Sequence, residues 1–238
     1  DLYHCIDIIS IVIIPYPMKL SKETIALLKN FASINPNLVI TPGNTLKTIT
    51  EAKSILASVT VAETFDKTIG IYDLNEFVAA LSLVEDPNIT VEDSTVIISG
   101  SNTTVKYRLA DPEILTKPTK NVTMPPADVK VTLTAAVIGQ IRKASGVLGH
   151  SSVALKSENG SIIISLIDPK NSAANSYTVD LGVKTDAKFN FDFLLTNLRF
   201  VDGDYVLEVS SKMISKWSSV NSDLSYLVAL EKTSAFSA

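Results

Sequence analysis

SKETIALLKNFASI at residues 21–34 and TAAVIGQIRKASGV at residues 134–147 have the same face pattern, at an offset of 113 from 21 to 134. At about 100° per residue, Thr24, Leu27, Leu28, Phe31 and Ile34 gather on one side of the first helix, with Lys22, Ala26, Lys29 and Ser33 opposite. On the second, Val137, Ile141, Ala144 and Leu148 form the apolar side and leave Ala135, Gly139, Arg142 and Gly146 opposite. Lys29 thus corresponds to Arg142, Ala26 to Gly139 and Ser33 to Gly146. Both stretches put small residues and cations away from the apolar stripe, as a duplicated unit would.

A second pair lies at an offset of 117. Leu74, Phe77, Val78 and Leu81 correspond to Phe191, Leu194, Leu195 and Leu198, and both sets are spaced i, i+3, i+4, i+7 as on a helix. Around these helices run short segments rich in Val, Ile, Thr and Tyr, several of them alternating: ILASVTVAE, TVIIS and TVKYRL in the first half, SVALKS, SIIISLI and DYVLEV in the second. With MKL and VKVTL as opening strands, each half reads strand, helix, three strands, helix, three strands. Between the halves, residues 110–128 contain Pro112, Pro118, Pro125 and Pro126, which oppose helix and central strand alike. The sequence therefore predicts two α+β units, 18–110 and 129–238, joined by an extended linker at 111–128.

Composition narrows the function classes. The 238 residues carry 25 acids against 21 basic residues, a net charge of −4, so any contact with nucleic acid has to be local instead of spread over a basic surface. One cysteine, Cys5, and two histidines, His4 and His150, supply neither a disulfide framework nor a zinc set. His150 beside Ser151 reads as a loop histidine, since a catalytic base must meet its nucleophile through the fold. Gly146 and Gly149 lack the Lys-Ser/Thr of a phosphate loop and read as a helix end. Glu85, Asp86, Glu92 and Asp93 read as a solvated turn rather than a calcium site. Trp217, Tyr177, Tyr205 and Tyr226 lie in strand segments, where aromatics pack. The apolar run Ile8–Ile14 has no basic residue before it and no small-residue cleavage site after it, and is too short to span a bilayer. Residues 1–17 read as an extension ahead of Met18, or as an added edge strand.

Three segments carry a family likeness: MKLSKETIALLKNFASIN from Met18, IYDLNEFVAALSLVEDPNI at 71–89 and YLVALE at 226–231. Together they resemble the sliding clamp of T-even-type bacteriophages, the DNA polymerase processivity factor, over the chain from Met18 onward. The resemblance implies an α+β DNA-clamp fold, two similar units each with two helices on an antiparallel sheet, assembling as a homotrimer into a ring around duplex DNA. It implies no catalysis, cofactor or metal, and partners in the replicative polymerase, an ATP-driven clamp loader and late-transcription factors, in the cytoplasm of an infected bacterium. The DNA-facing residues would be Lys22, Lys29, Arg142, Lys143 and Arg199. Subunit contacts would fall on Val105 and Tyr107 of TVKYRL and on Tyr177 and Val179 of SYTVDLG, and partner peptides would dock against Leu115, Val122, Met124 and Tyr226. A trimeric β-rich phage structural or adhesion protein is the alternative; a hydrolase built around His150 stands further off.

Overall fold

Ser21, Asp73 and Thr134 start the three α-helices. In the computed structural model, which describes residues 16–237, each has an extended backbone and accepts a hydrogen bond from the backbone N–H three residues on, a cap worth about 1 kcal/mol. The helices are α1 (Lys22–Ile34), α2 (Leu74–Ser82) and α3 (Ala135–Leu148). Gly149, with φ of 71°, ends α3 in the left-handed conformation that glycine adopts at little cost.

All strand pairs are antiparallel. In the first unit, β1 (Met18–Lys19), β6 (Asn88–Val91), β7 (Thr95–Ser99) and β8 (Thr104–Arg108) form a four-stranded sheet in that order, and β2 (Leu38–Ile40) pairs with β5 (Ile69–Ile71). The second unit has a five-stranded sheet ordered β12 (Tyr177–Lys184), β11 (Ser161–Ile167), β10 (Ser152–Glu158), β13 (Lys188–Leu194) and β17 (Ala235–Ser237). A six-stranded sheet joins the halves. It runs β3 (Gly43–Ile49), β4 (Ile55–Phe65), β16 (Ser225–Ala229), β15 (Ile214–Ser219), β14 (Tyr205–Ser210), β9 (Val129–Leu133), and the β4–β16 pairing sets Ala57 of the first half opposite Tyr226 of the second. Strand β4 alternates as its sequence suggests, with Ile55, Ala57, Val59, Val61 and Phe65 buried on the helix side. Behind the junction lie Trp217, Tyr205, Tyr226 and Phe200, the Phe200 ring centroid 4.5 Å from Tyr226 and 4.9 Å from Trp217.

Two predicted features are different: the first unit has four strands between its helices, β2 to β5, where three are expected, and the second unit lacks its second helix. Phe191–Leu198 does not form a second helix in the second half: residues 188–194 are strand β13, followed by a single 3-10 turn at Leu195–Asn197. The reason lies in the competing period. Phe189, Phe191 and Phe193 recur every second residue and are all buried, in a strand paired with β10, and such aromatic alternation favours a strand over the weaker helical spacing of the leucines. The linker too contains a 3-10 turn, Pro112–Ile114, with proline at the first position, where its missing N–H costs nothing. Its start is fixed against the first unit: the Ala110 N–H donates to the Gly70 carbonyl, and a Cβ on Gly70 would sit 2.3 Å from the Ala110 oxygen. The readings of Ile8–Ile14, His4 and Cys5 fall outside the described residues.

Candidate functional site

Each α-helix turns one face to solvent. On α1 the exposed row is Lys22, Ala26, Lys29 and Ser33, with Glu23 beside it; on α2 it is Asn75, Glu76, Ala79 and Ser82, which has no cation. The exposed row of α3 runs through Ala136, Gly139, Gln140, Lys143 and Val147. Lys22, Lys29 and Lys143 therefore project as the sequence places them. Arg142 does not. Its guanidinium donates to Asp202 at 2.8 Å and to the carbonyls of Leu198 and Phe200 at 3.2 Å each. The cause is the missing helix: the irregular chain at 198–202 leaves carbonyls without helical partners, and Arg142 satisfies them. In the first half α2 satisfies its own carbonyls, and Lys29 stays exposed. Arg199 is exposed, but its side chain donates to the carbonyls of Thr196 and Ser33, and its own carbonyl accepts from Asn30 at 2.8 Å. It ties the end of α1 to the second half.

The start of α1 rests on a buried carboxylate. Glu63 is on the buried face of β4, where it accepts from the Ser21 N–H at 2.5 Å and the Thr24 hydroxyl at 2.6 Å. Burial acts to raise its pKa, but the hydrogen bonds from Ser21 and Thr24 together outweigh burial and hold the carboxyl below its ordinary value. Glu63 thus fixes the end of the helix that carries Lys22.

Every sheet is open, with an end strand on each side that lacks a second partner among the described residues; the two edges named from the sequence are β8 and β12. β8 ends the four-stranded sheet and β12 ends the five-stranded one. Val105, Tyr177 and Val179 are half-buried along these edges, while Lys106 and Arg108 of β8 and Asp180 of β12 are exposed. Tyr107 differs from its expected place. It points into the core, packs edge-on against Phe77 with centroids 5.1 Å apart, and donates to the Asp73 carbonyl at 3.0 Å.

Between the linker and the outer face of the six-stranded sheet runs a groove with two lobes of about 340 and 600 Å³, both bordered by Leu56, Val122 and Leu227. Met124 lines the first lobe. Two expected residues are elsewhere. Leu115 is buried against the first unit beside Gly70. Tyr226 is on the inner side of β16, one residue from Leu227 and so on the opposite face. Its hydroxyl donates to Asn30 at 2.8 Å and accepts from the Val201 N–H at 3.1 Å, and burial pushes its pKa up to about 12. The sequence reading missed Leu56 and Leu227, although the alternation in SYLVA separates Leu227 from Tyr226.

No catalytic constellation assembles from the candidates. The His150 ring nitrogen meets the Asn175 carbonyl at 2.7 Å, not a hydroxyl. Asp86 pairs with Lys19, Asp93 with Lys67 at 3.0 Å, and Glu92 accepts from Thr95, so the acidic group is divided among separate partners. Among the described residues no three His, Cys, Asp or Glu side chains are grouped to hold a metal ion, and no helix is long and apolar enough to cross a membrane.

This arrangement of sheets and solvent-facing helices is that of the DNA clamps. Solved structures with the same fold include the Helicobacter pylori beta clamp, with a TM-score of 0.67 and 14% identity over 93% of this chain and 67% of that one. PCNA of A. fulgidus gives a TM-score of 0.66 and 14% identity over 92% and 98%. The DNA polymerase processivity factor family matches residues 21–115, and the family described as gp45 sliding clamp, C terminal, matches residues 130–232. The sliding clamp of Escherichia phage RB69 is 30% identical over 91% of this chain and 98% of its own length, and that of Enterobacteria phage T4 is 30% identical over 91% and 98%. The sliding clamp of Vibrio phage KVP40 is 29% identical over 90% and 99%. The chain belongs to the phage sliding clamps, the DNA polymerase processivity factors. The alternative of a structural or adhesion protein finds no support in these relatives.

Proposed function

We propose that three copies of this chain close head to tail into a ring around duplex DNA, β8 of each copy pairing with β12 of the next, with units 18–110 and 129–238 as successive segments and 111–128 as connector. The observation that carries this reading is that β8 and β12 are open edges of two different sheets, one in each unit, since pairing unlike edges makes a heterologous contact, the kind that can close a ring. Lys106 and Arg108 of β8 would meet Asp180 of β12, a strand that also carries Lys184, and the pairing covers two exposed strand edges of the kind that invite aggregation. Val105, Tyr177 and Val179 would be covered at the joint, and Tyr107 supports it from beneath.

Lys22, Lys29 and Lys143 face the DNA across water in this reading, with Arg199 beside them. A few exposed cations attract phosphate weakly and without regard to sequence, which leaves the ring free to slide. Arg142 holds the 198–202 segment in place instead. The protein would act without catalysis or cofactor, in the cytoplasm of the infected host. The replicative polymerase and an ATP-driven loader are its partners, and late-transcription factors are further candidates. Partner segments dock in the groove between linker and sheet; A. fulgidus PCNA, of the same fold, has the C-terminal region of FEN-1 bound. The test of the ring is the solution mass. Light scattering should give about 77 kDa, three times the 25.6 kDa chain; a mass that stays at one chain up to high concentration refutes the closure.

A further inference from the structure

The two units of one chain meet both on the six-stranded sheet and on the helix side. On the sheet, β4 and β16 are joined by residue pairs running from Ser58–Ser225 to Ile55–Val228. Neighbouring strands are rotated against each other by anything from about 10 to 35°, so a ladder this short leaves about 25° of latitude in the angle between the units. On the helix side the contact is made by side chains. Asn30, half-buried on α1, donates from Nδ2 to the Arg199 carbonyl at 2.8 Å and accepts from the Tyr226 hydroxyl at 2.8 Å. The same hydroxyl accepts from the Val201 N–H at 3.1 Å, and Arg199 returns the contact to α1 by donating to the Ser33 carbonyl. From the opposite side Arg142 of α3 binds the carbonyls of Leu198 and Phe200. The irregular segment 198–201 is thus held from both α1 and α3, through its own backbone groups.

We propose that Asn30 is a positioning residue: with Tyr226 and Arg199 it fixes the angle between the two units of one chain, and so sets the curvature with which copies close on one another. The fixed angle stands on the contacts above; its consequence for closure rests on the proposed ring. Three-fold closure requires each copy to turn the chain direction by about 120°, and an error within a copy enters three times, so 25° of play would accumulate to about 75° around the ring. Asn30 suits the task because one planar amide supplies a donor and an acceptor at a fixed separation, whereas aspartate supplies acceptors alone and leucine neither. Tyr226 suits it because it sits on the joining ladder itself, opposite Ala57, with its ring packed 4.5 Å from that of Phe200, so the hydroxyl has little room to swing.

The experiment uses the full chain with Cys5→Ser and spin labels on Asn75→Cys and Gln140→Cys, exposed sites on α2 and α3, one in each unit. Labelled chains are diluted into unlabelled ones so that an assembly carries one labelled pair, and the distance distribution is read by pulsed electron resonance. The parent should give one narrow distance. Asn30→Ala and Tyr226→Phe should each broaden it about twofold, the latitude of an unlocked ladder, and the two together no further than the larger single change, since they break one network. Lys29→Gln, next to Asn30 on the same helix, should leave the width as it is. Light scattering should show that both single variants need more protein than the parent to reach the trimer mass. An unchanged width in Asn30→Ala, or equal broadening in Lys29→Gln, overturns the role of Asn30. Broadening with assembly unaltered overturns its role in closure. A parent that stays at one chain refutes the ring and not the fixed angle, which the widths then test on single chains.

Discussion

Replacing Glu63 with glutamine tests how α1 is held. The carboxylate accepts two hydrogen bonds, from the Ser21 N–H at 2.5 Å and the Thr24 hydroxyl at 2.6 Å, at the positive end of α1. Glutamine retains the shape and one carbonyl oxygen but loses the charge. Hydrogen bonds to a charged group contribute about 1.5–3 kcal/mol and neutral ones about 0.5–1.5, so the change should cost about 2 kcal/mol over the two bonds. For a chain of this length that is a fall of about 4–8 °C in Tm. The pH dependence separates this from a packing defect. Because the folded pKa of Glu63 lies below the unfolded value of about 4.3, the carboxylate stabilises fully above the unfolded pKa, and its contribution disappears as pH falls through the folded one. Thermal denaturation of parent and Glu63→Gln should therefore differ at neutral pH and draw together as pH falls below the ordinary glutamate pKa of about 4.3 and through the lower folded one. A difference that stays constant across that range, or no difference at neutral pH, refutes the charge argument.

Thr48 on β3 has a buried hydroxyl with no partner among the described residues. Thr48→Val removes that unsatisfied group at nearly constant shape and should raise the urea midpoint, by up to about 1 kcal/mol of stability. The neighbours Arg142 and Lys143 should part ways. Arg142→Gln leaves the Leu198 and Phe200 carbonyls unsatisfied and should destabilise by about 1–3 kcal/mol in chemical denaturation. Lys143→Gln should stay within about 0.5 kcal/mol of the parent yet reduce processive synthesis, most visibly at low salt.

Much of the architecture is legible in the sequence where one periodicity stands alone. The stripe of α1 and its counterpart in α3 follow from their spacing, as do strands such as ILASVTVAE and DYVLEV. Phe189–Leu198 is harder because two periods overlap, and the buried phenylalanines at every second position outweigh the leucines at helical spacing. That misreading carries into the site. Had the segment been seen as irregular beyond Leu194, its unpaired carbonyls would have called for a donor, and Arg142 is the donor the repeat supplies. The six-stranded sheet that crosses the linker is a long-range pairing between β4 and β16, which local pattern does not encode. Its absence from the sequence reading put Tyr226 on the groove side, although it packs behind the junction. The lysines around the groove are equally dispersed along the chain: Lys47 is on β3, Lys53 in the turn after it, Lys117 and Lys120 in the linker, Lys212 before β15 and Lys216 on it, and only the fold gathers them.

The central claim is that this chain holds DNA by encircling it, and topology tests it most directly. Clamp assembled on nicked circular DNA, then passed over a sizing column in moderate salt, should elute with the circle. Linearising the same circle with a restriction enzyme should release it, because a ring slides off a free end and a few exposed cations attract phosphate only weakly. Protein that stays equally bound to circle and line, or leaves both equally, would contradict the account.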